Sequence, residues 1–151
     1  MTSCSKKSTN TLITPQNSSI NFTINEVNYN VNGWATISNG MLKINGSTSY
    51  TPTKQILLYI KTSSIGTYLL NSSDGPQGDG NTGTYTEGVA PIGLTVFSTD
   101  ASNLGSITIT KYDMINRVVS GVFYFDATQI SPLTGGGIKI SNGSFNNIPI
   151  N

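Results

Sequence analysis

Alternation of apolar and polar residues is the main pattern along this chain. Residues 20–24 place an apolar side chain at every second position, and residues 27–31 repeat the same period. Side chains of a strand point alternately to the two faces of a sheet, so this period predicts strands with one buried face. Only Asn25 and Glu26 separate the two segments, which predicts a β-hairpin with a two-residue turn.

Three Asn-Gly steps follow in close order, at residues 32–33, 39–40 and 45–46. Asn and Gly both tolerate the positive φ angles of a type I′ turn, which joins strands of a hairpin. We therefore expect turns at these steps, with short strands between them.

Further strands are predicted along the rest of the chain. Residues 54–62 have helical propensity, but their β-rich neighbours and the preceding Pro52 favour a central strand. Gly121, inside a segment that alternates in the same way, predicts a bulge or a close backbone approach. The other predicted strands are residues 66–70, 92–99, 105–113 and 117–127, and a closing hairpin over 138–150 that turns at Asn142-Gly143.

About nine or ten short strands without a required helix predict an all-β fold, an antiparallel β-sandwich or a flattened barrel. We expect residues 19–151 to form a single β domain, and residues 1–18 to be a lipobox remnant and a flexible polar tether. The side chains predicted to form the core are Phe22, Ile44, Ile109, Phe123, Phe125 and Phe145.

The alternation breaks between residues 71 and 88, where Gly, Asp, Pro and Ser dominate. This segment is predicted to be the longest loop, and any ligand is expected to contact this loop or the aromatic side chains beside it. Asp74, Asp79 and Asn81 have the oxygen ligands and the glycine spacing of a calcium loop, and Glu87 could add a fourth ligand. The bidentate Glu of an EF-hand is missing, so a glycine-rich loop is the favoured interpretation.

Composition restricts the function further. Eight Lys or Arg balance seven Asp or Glu, whereas Ser, Thr and Asn make up more than a third of the 151 residues. Nucleic acid needs clustered positive charge, so we expect no nucleic-acid partner. The chain has no histidine, which is the commonest catalytic base and transition-metal ligand. No run of about 18 apolar residues is present, so no membrane span is expected.

The single cysteine, Cys4, follows Met1-Thr2-Ser3. An apolar residue and two small residues before a cysteine match the bacterial lipobox, in which the cysteine receives the lipid. Without the apolar part of a signal peptide before it, we expect a start site inside the signal peptide or a trimmed chain. Lipidation of Cys4 is the favoured interpretation, and the alternative is an incidental thiol in a tail.

Three segments resemble small uncharacterised lipoproteins of Bacteroidota that carry an all-β domain of unknown function. They are residues 21–31, residues 105–127 with the Ser120-Gly121-x-Phe123-x-Phe125 signature, and residues 138–150 with Gly143-x-Phe145. The resemblance implies the fold and an outer-membrane lipoprotein, but no catalytic residue. Lys6 and Lys7 occupy positions where surface-exported members often carry acidic residues. The sequence therefore does not decide whether the lipoprotein faces the periplasm or the cell surface.

Candidate chemistry is sparse. Paired-carboxylate catalysis needs two acids about 5–10 Å apart in a cleft. The chain has seven carboxylates, and we expect most of them to shape turns and to keep ordinary pKa values. Trp34, Tyr50 and Tyr85 could form an aromatic platform, although Trp34 more simply caps one end of the core. The seven carboxylates are Glu26, Asp74, Asp79, Glu87, Asp100, Asp113 and Asp126.

Together these patterns predict a non-enzymatic, lipid-anchored envelope domain that binds or scaffolds an unknown ligand, a glycan or a protein. The expected partner of the anchor is the outer membrane, through a fatty-acid group such as palmitate on Cys4. No catalytic residue, metal ion or cofactor is expected. The alternative is a calcium- or carbohydrate-binding surface module, and a hydrolase that uses Asp or Glu is a third hypothesis.

Overall fold

The computed structural model describes residues 18–62, 64–73 and 80–151, and its regular elements are all strands. Their number agrees with the predicted nine or ten, and the all-β prediction is confirmed. The ten strands are β1 (Ser19–Ile24), β2 (Val27–Ser38), β3 (Met41–Ser47), β4 (Thr53–Lys61), β5 (Gly66–Leu70), β6 (Thr82–Val89), β7 (Gly93–Ser98), β8 (Gly105–Asp113), β9 (Val118–Ser131) and β10 (Gly137–Pro149).

The strands form one antiparallel sheet that closes on itself. Neighbours follow the order β10-β1-β2-β3-β4-β6-β7-β9, and β9 also pairs with β10, which completes the ring. The first part of β9 pairs with β8, which in turn pairs with β5, whereas the last residues of β9 pair with β7. The architecture is therefore ring-like, which agrees with the predicted antiparallel sandwich or flattened barrel.

Apolar side chains from successive strands fill the inside of the ring. All six predicted core side chains are buried, together with Ile56, Leu58 and Ile60 of β4. The outward side of β9 is not covered, since Val122 and Tyr124 are half exposed. The apolar alternation thus predicts which face of each strand is inside, because burial of apolar area drives folding.

Two of the predicted turns are confirmed. Asn25 and Glu26 have φ angles of 49° and 66°, and Asn39 and Gly40 have 51° and 73°. Ile24 pairs with Val27 across the first turn and Ser38 with Met41 across the second. Positive φ at both central residues is the type I′ geometry, whose twist suits tight hairpins.

The turns predicted at residues 32–33 and 45–46 are wrong. Both steps lie inside strands, where Gly33 pairs with Gly46. A Cβ at Gly33 would lie 2.7 Å from Cγ1 of Ile20, and a Cβ at Gly46 would lie 2.9 Å from its Cδ1. These two glycines therefore make room for Ile20 in the core, which is the second common use of glycine in a strand.

The hairpin predicted at Asn142-Gly143 is also wrong. Residues 137–149 form the single strand β10, and its register with β9 shifts between Ile140 and Gly143 and again between Phe145 and Ile148. Asn142 and Asn147 take positive φ angles of 51° and 47° at these shifts. They are β-bulges, so the conformational freedom of Asn serves to bend one long strand here.

The predicted loop over residues 71–88 is wrong in its second half. Thr82–Val89 is strand β6, paired with β4 and β7. Before it, Asn81 accepts a hydrogen bond from the backbone N–H of Lys61 and donates one to the carbonyl oxygen of Leu69. The sequence of β6 is rich in Thr and Gly and therefore has no clear apolar pattern. Its strand is formed by pairing with neighbouring strands, which the hydropathy of the segment alone does not predict.

Glycine and phenylalanine face each other at three cross-strand pairs. Gly105 pairs with Phe125, Gly121 with Phe145, and Gly143 with Phe123. A Cβ at each glycine would collide with its partner phenylalanine. Rings that cover a glycine on the next strand add packing without crowding the backbone. The Ser-Gly-x-Phe-x-Phe and Gly-x-Phe motifs thus encode this part of the core.

Candidate functional site

Two rows of outward-facing side chains cross six adjacent strands, and we call them together the polar face. The registers align the residues of each row strand by strand, from β5 through β8, β9, β10 and β1 to β2. The first row is Thr67, Thr108, Val122, Ser144, Asn21 and Asn30. The second row is Leu69, Ser106, Tyr124, Ser141, Thr23 and Asn28, with Tyr124 opposite the bulge at Asn142. Thr23 is covered by its neighbours, and the other side chains of this row reach the surface.

Neighbouring side chains in these rows are joined by hydrogen bonds. The Oγ1 atoms of Thr67 and Thr108 lie 2.9 Å apart. At the other end, Thr23 donates to Oδ1 of Asn28 at 2.7 Å, and Nδ2 of Asn30 donates to Oδ1 of Asn21. Such bonds hold the side chains in defined positions. The exposed amides of Asn21, Asn28 and Asn30 can make further hydrogen bonds, so the face can still bind a polar partner.

Two grooves lie in the polar face and meet at Asn142. The first, which we call the bulge groove, has a volume of about 520 Å³ and runs over β8, β9 and β10. The second, the asparagine groove, has about 280 Å³ and runs over β1 and β2. The bulge groove is lined by Ser106, Thr108, Val122, Phe123, Tyr124, Lys139, Ser141, Asn142, Gly143 and Ser144. The asparagine groove is lined by Asn21, Phe22, Thr23, Asn28, Tyr29, Asn30 and Asn142.

Charge is nearly absent from these grooves. Among the described residues that line them, Lys139 alone is ionisable at neutral pH. Its Nζ lies 4.0 Å from Oδ1 of Asp126, and both side chains are largely exposed. An exposed pair of this kind contributes at most about 1 kcal/mol and partly cancels its own field. The grooves therefore present hydroxyls, amides and the two phenols of Tyr29 and Tyr124, beside the apolar side chains Phe22, Val122 and Phe123.

The predicted aromatic platform does not form. Tyr85 is buried in the core, where its ring packs against Phe22 and Phe97. Trp34 does not cap an end of the core, because it faces outward in the middle of β2, in register with Asn45 on β3. Tyr50 is exposed between β3 and β4. The three rings share no surface, since a ring inside the core cannot join two outside it.

Asp100 and Asp113 are held by hydrogen bonds from their own turns. Asp100 accepts hydrogen bonds from the backbone N–H groups of Ser102 and Asn103, and Asp113 accepts from those of Ile115 and Asn116. These are turn-stabilising bonds, as predicted. The expectation of ordinary pKa values is wrong, however: hydrogen bonds from Asn103 lower the pKa of Asp100, and those from Asn116 lower the pKa of Asp113.

Lys54, Tyr85 and Glu87 form a polar cluster at one end of the core. Lys54 pairs with Glu87 across β4 and β6, and its Nζ lies 3.0 Å from Oε2 of Glu87. The hydroxyl of Tyr85 donates to the same Oε2 at 2.9 Å. The Lys54 ammonium also lies 5.0 Å from the centre of the Tyr29 ring, a cation–π distance. Glu87 thus has a structural partner in β6, whereas the calcium alternative would need it as a loop ligand.

The pKa values in this cluster follow from its contacts. Burial would raise the pKa of Glu87, but hydrogen bonds from Lys54 and Tyr85 and the Lys54 charge outweigh it and lower that pKa. Burial would lower the pKa of Lys54, but the hydrogen bond and charge of Glu87 raise it. Burial, and then the hydrogen bond to Glu87, raise the pKa of Tyr85 far above its usual value. No group here is tuned toward neutral pH, as acid–base catalysis would require.

Glu87→Gln is expected to flatten the acid limb of the stability curve. A carboxyl whose pKa is lower in the folded than in the unfolded state stabilises the fold above its unfolded pKa of about 4.3, and this contribution is lost as pH falls through the folded pKa. Between about pH 5 and pH 3, the free energy of unfolding of wild type should therefore fall by about 1 kcal/mol more than that of Glu87→Gln. The difference is no larger because the pair is partly exposed.

The measurement is urea unfolding as a function of pH, with Asp126→Asn as the matched control, since Asp126 belongs to a more exposed pair. Equal acid limbs for wild type and Glu87→Gln would contradict the assigned ion pair.

Several predicted sites lie outside the described residues, namely Cys4, Asp74 and Asp79. Within residues 18–62, 64–73 and 80–151, no three His, Cys, Asp or Glu side chains are grouped for a metal ion. The polar face itself was missed. The sequence does contain a sign of it, since the outward positions of β1, β8 and β10 carry Asn, Ser and Thr and few charges. Placing these residues side by side, however, requires the register of the strands.

Comparison with known proteins gives a family but no relative of known activity. The described residues contain no helix of a length and hydropathy that would cross a membrane. No curated protein and no solved structure shows significant similarity to the chain. One family model, that of the domain of unknown function DUF6252, matches residues 16–149, and the chain therefore belongs to this family.

Proposed function

We propose that this chain is a non-enzymatic, lipid-anchored binding domain of the bacterial envelope, and that it binds its ligand through the polar face. The polar face carries this proposal, because it crosses six strands, is fixed by side-chain hydrogen bonds and contains two adjoining grooves. Binding sites are concave and contain a few well-placed polar groups.

The carboxylates support a binding role over hydrolysis. Glu87, Asp100 and Asp113 all have lowered pKa values. A general acid needs a raised pKa, which burial or a second nearby carboxylate would give. These three side chains are instead bound to lysine or to turn amides, which keeps them ionised at neutral pH.

The envelope location rests on the sequence around Cys4. Its lipobox-like context and the polar segment that follows support a diacylglyceryl anchor, and the similarity to Bacteroidota lipoproteins points to the outer membrane. Two or more acyl chains give stable membrane attachment, whereas one chain binds only marginally.

The calcium alternative has less support. Asn81, one of its three candidate ligands, uses its side-chain oxygen to accept the backbone N–H of Lys61. Its amide nitrogen donates to the carbonyl of Leu69, so Asn81 links β4 to β5. Glu87 is paired with Lys54. With Glu87 counted as the possible fourth ligand, two of the four candidate residues thus already have structural partners.

Cys4→Ala is expected to abolish acylation of the protein. The intact gene, expressed in its host, should yield a product labelled by an alkyne analogue of palmitate, because the Cys4 thiol is the acceptor of the lipid. The measurement is in-gel detection of the label after click chemistry, with Ser5→Ala as the matched control that retains it. Equal labelling of the Cys4→Ala protein, or a genomic sequence without apolar codons upstream, would contradict the anchor.

The non-enzymatic part of the proposal needs a separate assay. Purified protein should not turn over chromogenic esters, glycosides or peptides. Turnover that is lost on Asp→Asn or Glu→Gln substitution would overturn it.

A further inference from the structure

The two grooves form one path across the polar face. Asn142 lines both, and its positive φ angle at the bulge of β10 places it between them. The path runs from Ser106 and Thr108 on β8 to Asn28 and Asn30 on β2, which spans five strands. Four strand spacings of about 4.8 Å make it roughly 19 Å long. A path of that length fits a chain-like ligand better than a single small molecule.

The chemistry of the path selects a neutral ligand with many hydroxyls. Its hydroxyl side chains both donate and accept hydrogen bonds, and its asparagine amides offer two donors and an acceptor oxygen. Sugars present the same mixture of donors and acceptors. Because Lys139 is paired with Asp126 at the edge of the bulge groove, an anionic polymer would find little attraction.

Tyr124 supplies the apolar contact that such a ligand needs. Its side chain is 56% exposed, and the adjacent Val122 is 50% exposed. Both lie on β9 in the middle of the bulge groove, between the polar residues of β8 and β10. An aromatic ring with a hydroxyl tip can pack against the C–H groups of a sugar ring and bond to its hydroxyls.

Other macromolecules fit this surface less well. The core of a protein–protein interface is enriched in Tyr, Trp, Met and Arg and depleted in Ser, whereas the path consists mainly of Ser, Thr and Asn. A strand of another protein would pair with an exposed edge of a sheet, whereas the path crosses the face of the sheet, where the backbone groups are already paired. Nucleic acid requires several phosphate contacts from Lys or Arg.

We infer that the path formed by the bulge groove and the asparagine groove binds a neutral polysaccharide chain, with Tyr124 stacking on one sugar ring. This inference rests on the proposed binding function and gives its ligand class. It places the ligand on the outward side of β8, β9, β10, β1 and β2.

Affinity gel electrophoresis with wild type and single variants tests it. Native gels are cast with laminarin, α-mannan, xyloglucan or dextran as neutral polymers, and with alginate as an anionic polymer. Wild type should be retarded by at least one neutral polymer and less by alginate. Tyr124→Ala should weaken that retardation by at least about tenfold in Kd, and Tyr124→Phe should retain it.

Trp34→Ala is the matched control, because Trp34 is an exposed aromatic of the same sheet, in register with Asn45 on β3, and it lines neither groove. It should leave the retardation unchanged, and every variant should keep the unfolding transition of a folded protein.

No retardation by any of the four neutral polymers would overturn the inference, as would stronger retardation by alginate or loss of binding in Trp34→Ala but not in Tyr124→Ala. Acylation of Cys4 and the turnover assays are independent of these gels, so a failure of the glycan inference is distinguishable from a failure of the proposed function.

Discussion

Gly121→Ala is expected to destabilise the domain by about 3 kcal/mol, although it adds one methyl group. The new Cβ would lie well inside van der Waals contact with the Thr108 carbonyl oxygen, and 2.6 Å from Cζ of Phe145. The carbonyl is fixed in the β8–β9 ladder and the ring is buried, so neither can move without loss of other contacts. For a domain of this size, about 3 kcal/mol lowers Tm by roughly 6–12 °C.

The measurement is the free energy of unfolding from urea titration, and Gly93→Ala is the matched control. Like Gly121, Gly93 is a strand residue, the first of β7, but a Cβ there would meet no atom within 4 Å. The control should stay within about 0.5 kcal/mol of wild type. A Gly121→Ala protein as stable as the control would mean that β8 and β9 are not packed as closely as described.

Local patterns in the sequence predict the strands and the inner faces well. Alternation places Ile20, Phe22 and Ile24 inside, and the structure buries all three. The pair Asn25-Glu26 predicts its turn, because the two flanking strands end directly at it. Predictions of this kind succeed when all the physics lies within a few neighbouring residues.

The Asn-Gly steps show where local patterns stop being sufficient. The same dipeptide forms a turn at residues 39–40, lies flat in paired strands at 32–33 and 45–46, and forms a bulge at 142–143. A glycine serves either to allow positive φ or to make room for a neighbour. The neighbour of Gly33 and Gly46 is Ile20, so only the tertiary register distinguishes these roles.

The candidate site could not be predicted for the same reason. Its first row joins Thr67 to Thr108 and Ser144 to Asn21, which are far apart in sequence. Such a row depends on the register of six strands, and one-residue slips would turn every side chain to the other side. The composition of the outward positions indicated a neutral polar surface, but not that its residues lie side by side.

Phe125→Ala is expected to have the largest effect of any single substitution proposed for this domain, a loss of about 3–5 kcal/mol. Phe125 is fully buried, and its ring or Cβ lies against Gly83 on β6 and Gly105 on β8. The cost of removing a ring depends on how far neighbours can collapse into the space. Glycines have no side chain to move into it, so the cavity should stay open.

A loss of this size approaches the whole stability of a typical domain, about 5–15 kcal/mol, so the alanine variant could fail to accumulate. Phe125→Leu removes less volume and should cost about 1–2 kcal/mol, which keeps the effect measurable.

Tyr124→Ala is the matched control: Tyr124 is the neighbouring residue of β9, but it faces outward and is half exposed. It should cost less than about 1 kcal/mol. If Tyr124→Ala and Phe125→Leu were equally destabilising, Tyr124 would be a structural residue, and its role in the bulge groove would be contradicted. A small effect of Tyr124→Ala beside a large one of Phe125→Leu is expected, because alternate residues of β9 face the core and the polar face.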